Sequence, residues 1–261
     1  MKVEKIMTKN LITISASEPV RNALRLMEKR KISRLLVRKD KKIVGIVTER
    51  DLARRLGSEK ERKLSDAHIH VSSCYTDKLI TVGKDAEIKE VAEKMLENGM
   101  SSAVVTDGEA VVGIVTKTDL IKVLKGCKEP LENVMRRELR RIEKGSRVLE
   151  ARKMMLHYGI KRLLVVEKGR LVGILTESDI AKALGTFRKV AEGKHWDEKM
   201  RKILVEDVMS SPVITLKPKD TIGKCVKVML KNDISGVPIV EGEEIKGIVT
   251  KTDLVRFISK T

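Results

Sequence analysis

Read for its apolar and polar positions, the chain repeats one pattern four times. Helical spacing at i, i+3, i+4 and i+7 appears in Val20, Ala23, Leu24 and Met27, again in Ile88, Val91, Ala92 and Met95, and again in Ile222, Cys225, Val226 and Met229. Val148, Ala151, Met155 and Leu156 follow a looser version. Each set predicts an amphipathic helix with one buried face. Two short apolar runs follow each helix, such as Arg34–Val37 and Ile43–Val47, with the polar stretch Arg38–Lys42 between them, which predicts a β-hairpin. A short β-like run precedes each helix, and a second helix begins after the hairpin. The predicted unit is strand, helix, strand, strand, helix.

The spacings are regular. Each hairpin ends in Gly-apolar-apolar-Thr-x-x-Asp: Gly45 to Asp51, Gly113 to Asp119, Gly173 to Asp179 and Gly247 to Asp253. Thr13, Thr81, Arg141 and Thr215 each stand 32 residues before their glycine. Openings of the form Val3-x-x-Ile6-Met7, Leu131-x-x-Val134-Met135 and Val205-x-x-Val208-Met209 end 44 residues before their aspartate. In the second repeat Leu64-x-x-Ala67-His68 ends 51 before Asp119, which implies a seven-residue insertion around Ile69 to Tyr75. A repeat of this size buries too little surface to stand alone, so neighbouring repeats are expected to pair through their sheets. The expected fold class is α+β (mixed α/β), with repeats at 1–58, 59–126, 127–184 and 203–261 and a helical linker at 185–202 carrying Phe187 and Trp196.

Composition narrows the function. Apolar residues make up 41% of the 261 and aromatics 2%, so several small aliphatic and methionine-filled cores are expected. No run is long enough for a membrane span and Met1–Lys5 lacks the apolar stretch of a signal peptide, which points to the cytoplasm and away from a membrane. Cys74, Cys127 and Cys225 are odd in number and widely separated, the pattern of reduced thiols. His68-x-His70 with Cys74 lacks a fourth ligand at metal-site spacing, and no metal is expected. No Walker loop or nucleophile–base pair accompanies the repeats, so the chain is not read as an enzyme. The net charge of +18 favours anionic partners, from nucleotides to nucleic acid, without choosing among them. Basic clusters at Lys29–Lys31, Arg136-Arg137, Arg140-Arg141 and Arg188-Lys189 keep a nucleic-acid-binding regulator open as an alternative, although no nucleic-acid-binding motif accompanies them.

The glycine–threonine–aspartate motif after a hairpin, together with the methionine opening, resembles the CBS domain, and the four copies cover nearly the whole chain. The resemblance implies pairing of repeats into two Bateman modules, a layout similar to the gamma subunit of AMP-activated protein kinase. It also implies clefts between paired repeats for AMP, ADP, ATP or an S-adenosylmethionine-type ligand. Carried over, Asp51, Asp119, Asp179 and Asp253 would read the ribose, and Thr48, Thr116, Thr176 and Thr250 the phosphate. Arg34 and Arg162 would clamp phosphate. Ile32, Ser101, Ile160 and Ser235, with Met100 and Ile234 beside the serines, would line the nucleoside along with Thr13, Thr81 and Thr215. Arg141 replaces the third of those threonines and either blocks that site or favours a more phosphorylated ligand. The resemblance further implies a regulated protein partner, and an assembly completed by one chain or by a homodimer. Two bland readings stand beside these: Thr-x-x-Asp at a helix start is also a capping motif, and Arg34 and Arg162 also read as strand-edge charges.

Overall fold

The computed structural model describes residues 1–56, 69–190 and 202–261. Repeat 1 contains β1 (Thr13–Ser15), α1 (Val20–Arg30), the hairpin β2 (Arg34–Lys39) and β3 (Lys42–Thr48), and α2 (Glu49–Leu56). Repeat 2 contains β4 (Thr81–Gly83), α3 (Ile88–Glu97), β5 (Ser102–Asp107), β6 (Ala110–Thr116) and α4 (Lys117–Ile121). Repeat 3 contains β7 (Arg141–Glu143), α5 (Val148–His157), β8 (Arg162–Glu167), β9 (Arg170–Thr176) and α6 (Glu177–Val190). Repeat 4 contains α7 (Ile222–Lys231), β10 (Gly236–Glu241), β11 (Glu244–Thr250) and α8 (Lys251–Lys260). In the first three repeats a short strand lies parallel to the first strand of an antiparallel hairpin, through Thr13 opposite Leu36, Thr81 opposite Val104 and Arg141 opposite Leu164. In repeat 4 the short strand shrinks to one parallel bridge, Leu216 with Ile239.

The helices bury the faces their periodicity marks: Val20, Ala23 and Met27 in α1, Val91, Ala92 and Met95 in α3, and Ile222, Cys225, Val226 and Met229 in α7. In α5 the looser pattern is a true irregularity. Val148, Ala151 and Met155 are buried, whereas Leu156 is exposed because it falls about 100° round the helix from Met155.

The repeats gather into two units. One holds Met1–Leu11, Leu79–Leu139 and Ile214–Thr261; the other holds Ile12–Lys78 and Arg140–Val213. Repeats 2 and 4 thus share the first unit, and repeats 1 and 3 the second. Within the first unit a single apolar core runs from Val91, Met95 and Leu120 of repeat 2 to Met229, Leu254 and Val255 of repeat 4. In the second unit the described core residues of repeats 1 and 3 form separate clusters, and α2 packs against α6.

The openings do not stay with their own repeats. Val3–Lys5 forms a 3-10 turn on repeat 2, with the Val3 amide donating to Ala86 O at 2.9 Å and Thr8 bridging Ile114. Val71–Ser73 does the same on repeat 1, with Thr76 bridging Ile46; Leu131–Asn133 on repeat 4, with Arg136 bridging Ile248; and Val205–Asp207 on repeat 3, with Ser210 bridging Ile174. Consecutive repeats 1 and 2, and 3 and 4, therefore trade openings. The expected insertion around Ile69 to Tyr75 is not there. The opening of repeat 2 is Val71-x-x-Cys74-Tyr75, 44 residues before Asp119 like the others, with tyrosine in place of methionine. Leu64, Ala67 and His68 lie outside the described residues. Of the expected helical linker, α6 covers the start through Val190, and 191–201, with Trp196, lie outside the described residues.

The exchange explains the glycine of the motif. The last opening residue sits against it: Tyr75 on Gly45, Met7 on Gly113, Met209 on Gly173 and Met135 on Gly247. A Cβ on Gly45 would lie 2.6 Å from Thr76 O, and one on Gly247 2.8 Å from Arg136 O, so backbone would have to move. Gly45→Ala is expected to destabilise the protein by about 1–3 kcal/mol through overpacking. Gly83→Ala, where a Cβ meets nothing within 4 Å, serves as the near-neutral control in urea unfolding.

Candidate functional site

At each repeat the hairpin delivers a threonine to the start of the closing helix, and the aspartate three residues on folds back to it. The Asp51 Oδ2 accepts from the Thr48 amide at 3.0 Å and from its hydroxyl at 2.6 Å, while the Asp51 amide donates to Thr48 Oγ1 at 3.3 Å. The same box recurs at Thr116–Asp119 with hydroxyl contact at 2.7 Å, at Thr176–Asp179 with 2.7 Å, and at Thr250–Asp253 with 2.6 Å. The capping reading is therefore correct, and it covers one oxygen of each carboxylate. It also commits each threonine's single O–H donor to the aspartate. Donation to a phosphate oxygen from Thr48, Thr116, Thr176 or Thr250 would require that bond to open.

The second oxygen separates the two units. In the first, Asp119 is only 6% exposed and its Oδ1 accepts from Lys122 Nζ at 2.8 Å. Asp253 is 3% exposed, and its Oδ1 accepts from Arg256 Nη1 at 2.9 Å and from Arg136 Nε at 2.5 Å. In the second unit Asp51 and Asp179 are half-buried, and no hydrogen bond to their Oδ1 atoms is found among the described residues.

The cause lies one residue after the threonine. Repeats 1 and 3 carry Glu49 and Glu177 there, and repeats 2 and 4 carry Lys117 and Lys251. Three residues after the aspartate every repeat has a cation: Arg54, Lys122, Lys182 and Arg256. Where the motif supplies a glutamate, the cation crosses to the other repeat of its unit. Arg54 pairs with Glu177, joined by Arg50 Nε at 3.3 Å, and Lys182 Nζ lies 3.3 Å from Glu49. Where it supplies lysines, Lys117 and Lys251 donate reciprocally to Thr252 at 3.1 Å and Thr118 at 3.0 Å. Lys122 and Arg256 then turn back to their own aspartates.

The cross-strand partners of the motif threonines Thr48 and Thr176 are Arg34 and Arg162, which puts these arginines at the predicted end of the sheet. Ser101 and Ser235 are not their equivalents. In repeats 2 and 4 that register belongs to Ser102 and Gly236. Ser101 and Ser235 instead match Ser33 and Lys161, since these four carbonyls accept the first amide of the closing helix at 3.0 to 3.1 Å. Ser33 and Lys161 are absent from the sequence reading because the neighbouring Arg34 and Arg162 carry the more conspicuous charge; counting back 12 from each glycine finds them. Ile32, Met100, Ile160 and Ile234 do correspond, each donating its amide to the last methionine of the preceding helix pattern, at 2.9 to 3.0 Å. Thr13, Thr81 and Thr215 hold equivalent places with Arg141, all but the half-buried Thr13 exposed.

A cavity of about 440 Å³ lies in the second unit, lined by Met155, Leu156, Ile160 and Ile180 with Arg54 and Glu177. Of the predicted site residues it takes only Ile160. Cys74, packed near Asp51, has its thiol pKa pushed up to about 11 by burial first and then by the Asp51 charge. Burial pushes Cys225 up to about 12. Both thiols are held protonated at neutral pH. Among the described residues, no group of three or more His, Cys, Asp and Glu side chains is placed to hold a metal ion, and no helix is long and apolar enough to cross a membrane.

The CBS-domain family profile matches residues 3–58, 71–126, 131–186 and 205–260. The chain belongs to the CBS-domain family. Protein MJ1225 of Methanocaldococcus jannaschii is 30% identical over 280 residues, covering 99% of each chain. Its crystal structure, presented as that of a proposed archaeal homologue of g-AMPK, matches with a TM-score of 0.81 at 27% identity over 98% of this chain and 99% of that one. MJ1404 of the same organism is 30% identical over 271 residues, and this chain spans 62% of its length. A conserved Pyrococcus horikoshii protein of known structure shares the fold, with a TM-score of 0.68 at 24% identity over 99% of this CBS chain. Four CBS repeats and the g-AMPK-like layout make this the architecture of a CBS-pair regulatory protein.

The ion pairs between the CBS closing helices differ in weight. Glu177 is mostly buried between two arginines, whereas Lys182 is exposed and Glu49 only half-buried. Glu177→Gln is expected to cost about 1–3 kcal/mol and Lys182→Met less than about 0.5 kcal/mol, measured by chemical unfolding without ligand.

Proposed function

We propose that this protein is a non-enzymatic sensor of an adenosyl ligand, an adenine nucleotide in the first instance, bound at the Thr-x-x-Asp helix starts and read out by a protein partner. The observation that carries this reading is the Oδ1 of Asp51 and Asp179, which no hydrogen bond reaches among the described residues. A half-buried carboxylate whose other oxygen is already anchored is a rigid acceptor aimed at its surroundings, and two adjacent ribose hydroxyls are donors of matching geometry. The backbone amides at the start of α2 and α6 and the arginines Arg34 and Arg162 add positive potential for a phosphate. The described likeness of MJ1225 to g-AMPK supports a regulatory role.

Binding at these positions regulates only through a difference in affinity between two arrangements of the protein, typically about 1–3 kcal/mol. The net charge of +18 concentrates any polyphosphate around the chain. It also favours a second reading, nucleic-acid binding, for which the cluster of Lys125, Lys128, Lys224 and Lys227 around a cavity of about 250 Å³ is the specific feature. A steep salt dependence of RNA or duplex binding, unaffected by changes at the aspartates, would favour that reading.

The test is calorimetric titration with AMP, ADP, ATP and S-adenosylmethionine. Asn at position 51 or 179 preserves the capping acceptor and turns the open acceptor into a donor. Asp51→Asn with Asp179→Asn is therefore expected to weaken binding at least tenfold with little loss of stability. Undiminished affinity in that double variant, or no binding of any of the four to the unaltered protein at millimolar concentration, would overturn the proposal.

A further inference from the structure

The bridging residue of each exchanged opening is a small hydroxyl side chain in three cases, Thr8, Thr76 and Ser210, and an arginine in the fourth, Arg136. All four oppose the equivalent isoleucine after the motif glycine: Ile114, Ile46, Ile174 and Ile248. The threonines and the serine are too short to leave their own bridge. Arg136 extends from it to the closing helix of repeat 4, where its Nε donates to Asp253 Oδ1 at 2.5 Å.

That contact completes the coordination of the carboxylate. Two oxygens offer about four lone-pair directions. At Asp253, Oδ2 accepts from the Thr250 amide and hydroxyl, and Oδ1 from Arg136 and Arg256, so all are in use. Counting donors among the described residues, Asp119 has one direction left and Asp51 and Asp179 have two each. Arg256 belongs to the same helix turn as Asp253, whereas Arg136 arrives on a segment from another repeat and its side chain is half exposed. Both side chains are nearly half exposed, and Arg136 is the one whose backbone does not belong to the helix that carries Asp253.

We infer that Arg136 is an internal competitor at repeat 4: its guanidinium holds the Asp253 acceptor that a ligand's hydroxyls would take, so repeat 4 admits a ligand only when Arg136 is displaced. The inference rests on the adenosyl-sensor reading and adds to it a repeat-specific gate carried by one side chain. The gate opens more readily to a ligand with a distal phosphate, because that group gives the displaced guanidinium a new partner.

The experiment is titration of the full chain with adenosine and with ATP, by calorimetry, on the unaltered protein, Arg136→Thr, Arg136→Lys, and Arg136→Thr combined with Asp253→Asn. Arg136→Thr copies the residue of repeats 1 and 2 and is expected to expose one further adenosine site, or to strengthen the weakest one about tenfold. Arg136→Lys, with a point charge and no fork, should fall between. Adding Asp253→Asn should abolish the gain, which excludes a general loosening as its cause. An adenosine isotherm unchanged or weakened by Arg136→Thr, with thermal unfolding intact, overturns the gate and leaves the sensor reading standing. Absence of binding in every protein overturns the sensor reading and the gate with it.

Discussion

Everything at the candidate sites depends on the way an aspartate three residues into a helix divides its two oxygens. One closes a capping box with the threonine at the helix start, identically in all four repeats. That bond restricts the side chain to one rotamer and aims the other oxygen outward. What the second oxygen meets is then a local matter of charge. A glutamate after the threonine draws the nearby cation away to the other repeat of the unit, and a lysine there sends it back to the aspartate. A single change of sign in the motif thus separates two carboxylates with an oxygen that no hydrogen bond reaches among the described residues from two that each hold the cation three residues on.

The same economy governs the packing. A repeat of three short strands and two helices buries too little to be stable alone. Here each repeat lends its opening turn to a neighbour, and the apolar side chain ending that turn rests on the glycine of the neighbour's hairpin. The glycine has no room for a Cβ because another repeat's backbone or side chain fills the space. The repeats of the first unit share one apolar core. Between repeats 1 and 3 the described contacts include a mostly buried glutamate held by two arginines, so that junction combines packing with charge.

Most of the fold was legible in the sequence, because equal spacings in four copies leave few registers to choose from. The helices, the hairpins and their ends follow the apolar periodicity, with Leu156 an exception where the pattern was already loose. The opening of repeat 2 was misread because tyrosine replaces methionine at Tyr75 and cysteine replaces an aliphatic residue at Cys74. Counting distance from Asp119 identifies it. The traded openings were not legible, since each is a contact between segments far apart in the chain and its only trace is the pairing of a glycine with a large apolar residue in another repeat. At the candidate sites the motif's threonines and aspartates are legible by spacing, whereas the one-position offset between Ser101 and the register of Arg34 shows only in the strand pairing. The informative contrast of Glu49 and Glu177 with Lys117 and Lys251 was present in the motifs and passed over, because charged residues beside a motif read as solvated surface until their partners are known.

The central claim, that Asp51 and Asp179 present an oxygen for the hydroxyls of an adenosyl ligand, is tested most directly by a crystal structure of the protein grown with ATP. The account predicts ribose hydroxyls within hydrogen-bonding distance of Oδ1 of Asp51 and Asp179, with both capping boxes intact. Nucleotide bound only elsewhere, for instance among the lysines around Gly223, or carboxylates at positions 51 and 179 still facing solvent in the saturated crystal, would contradict it.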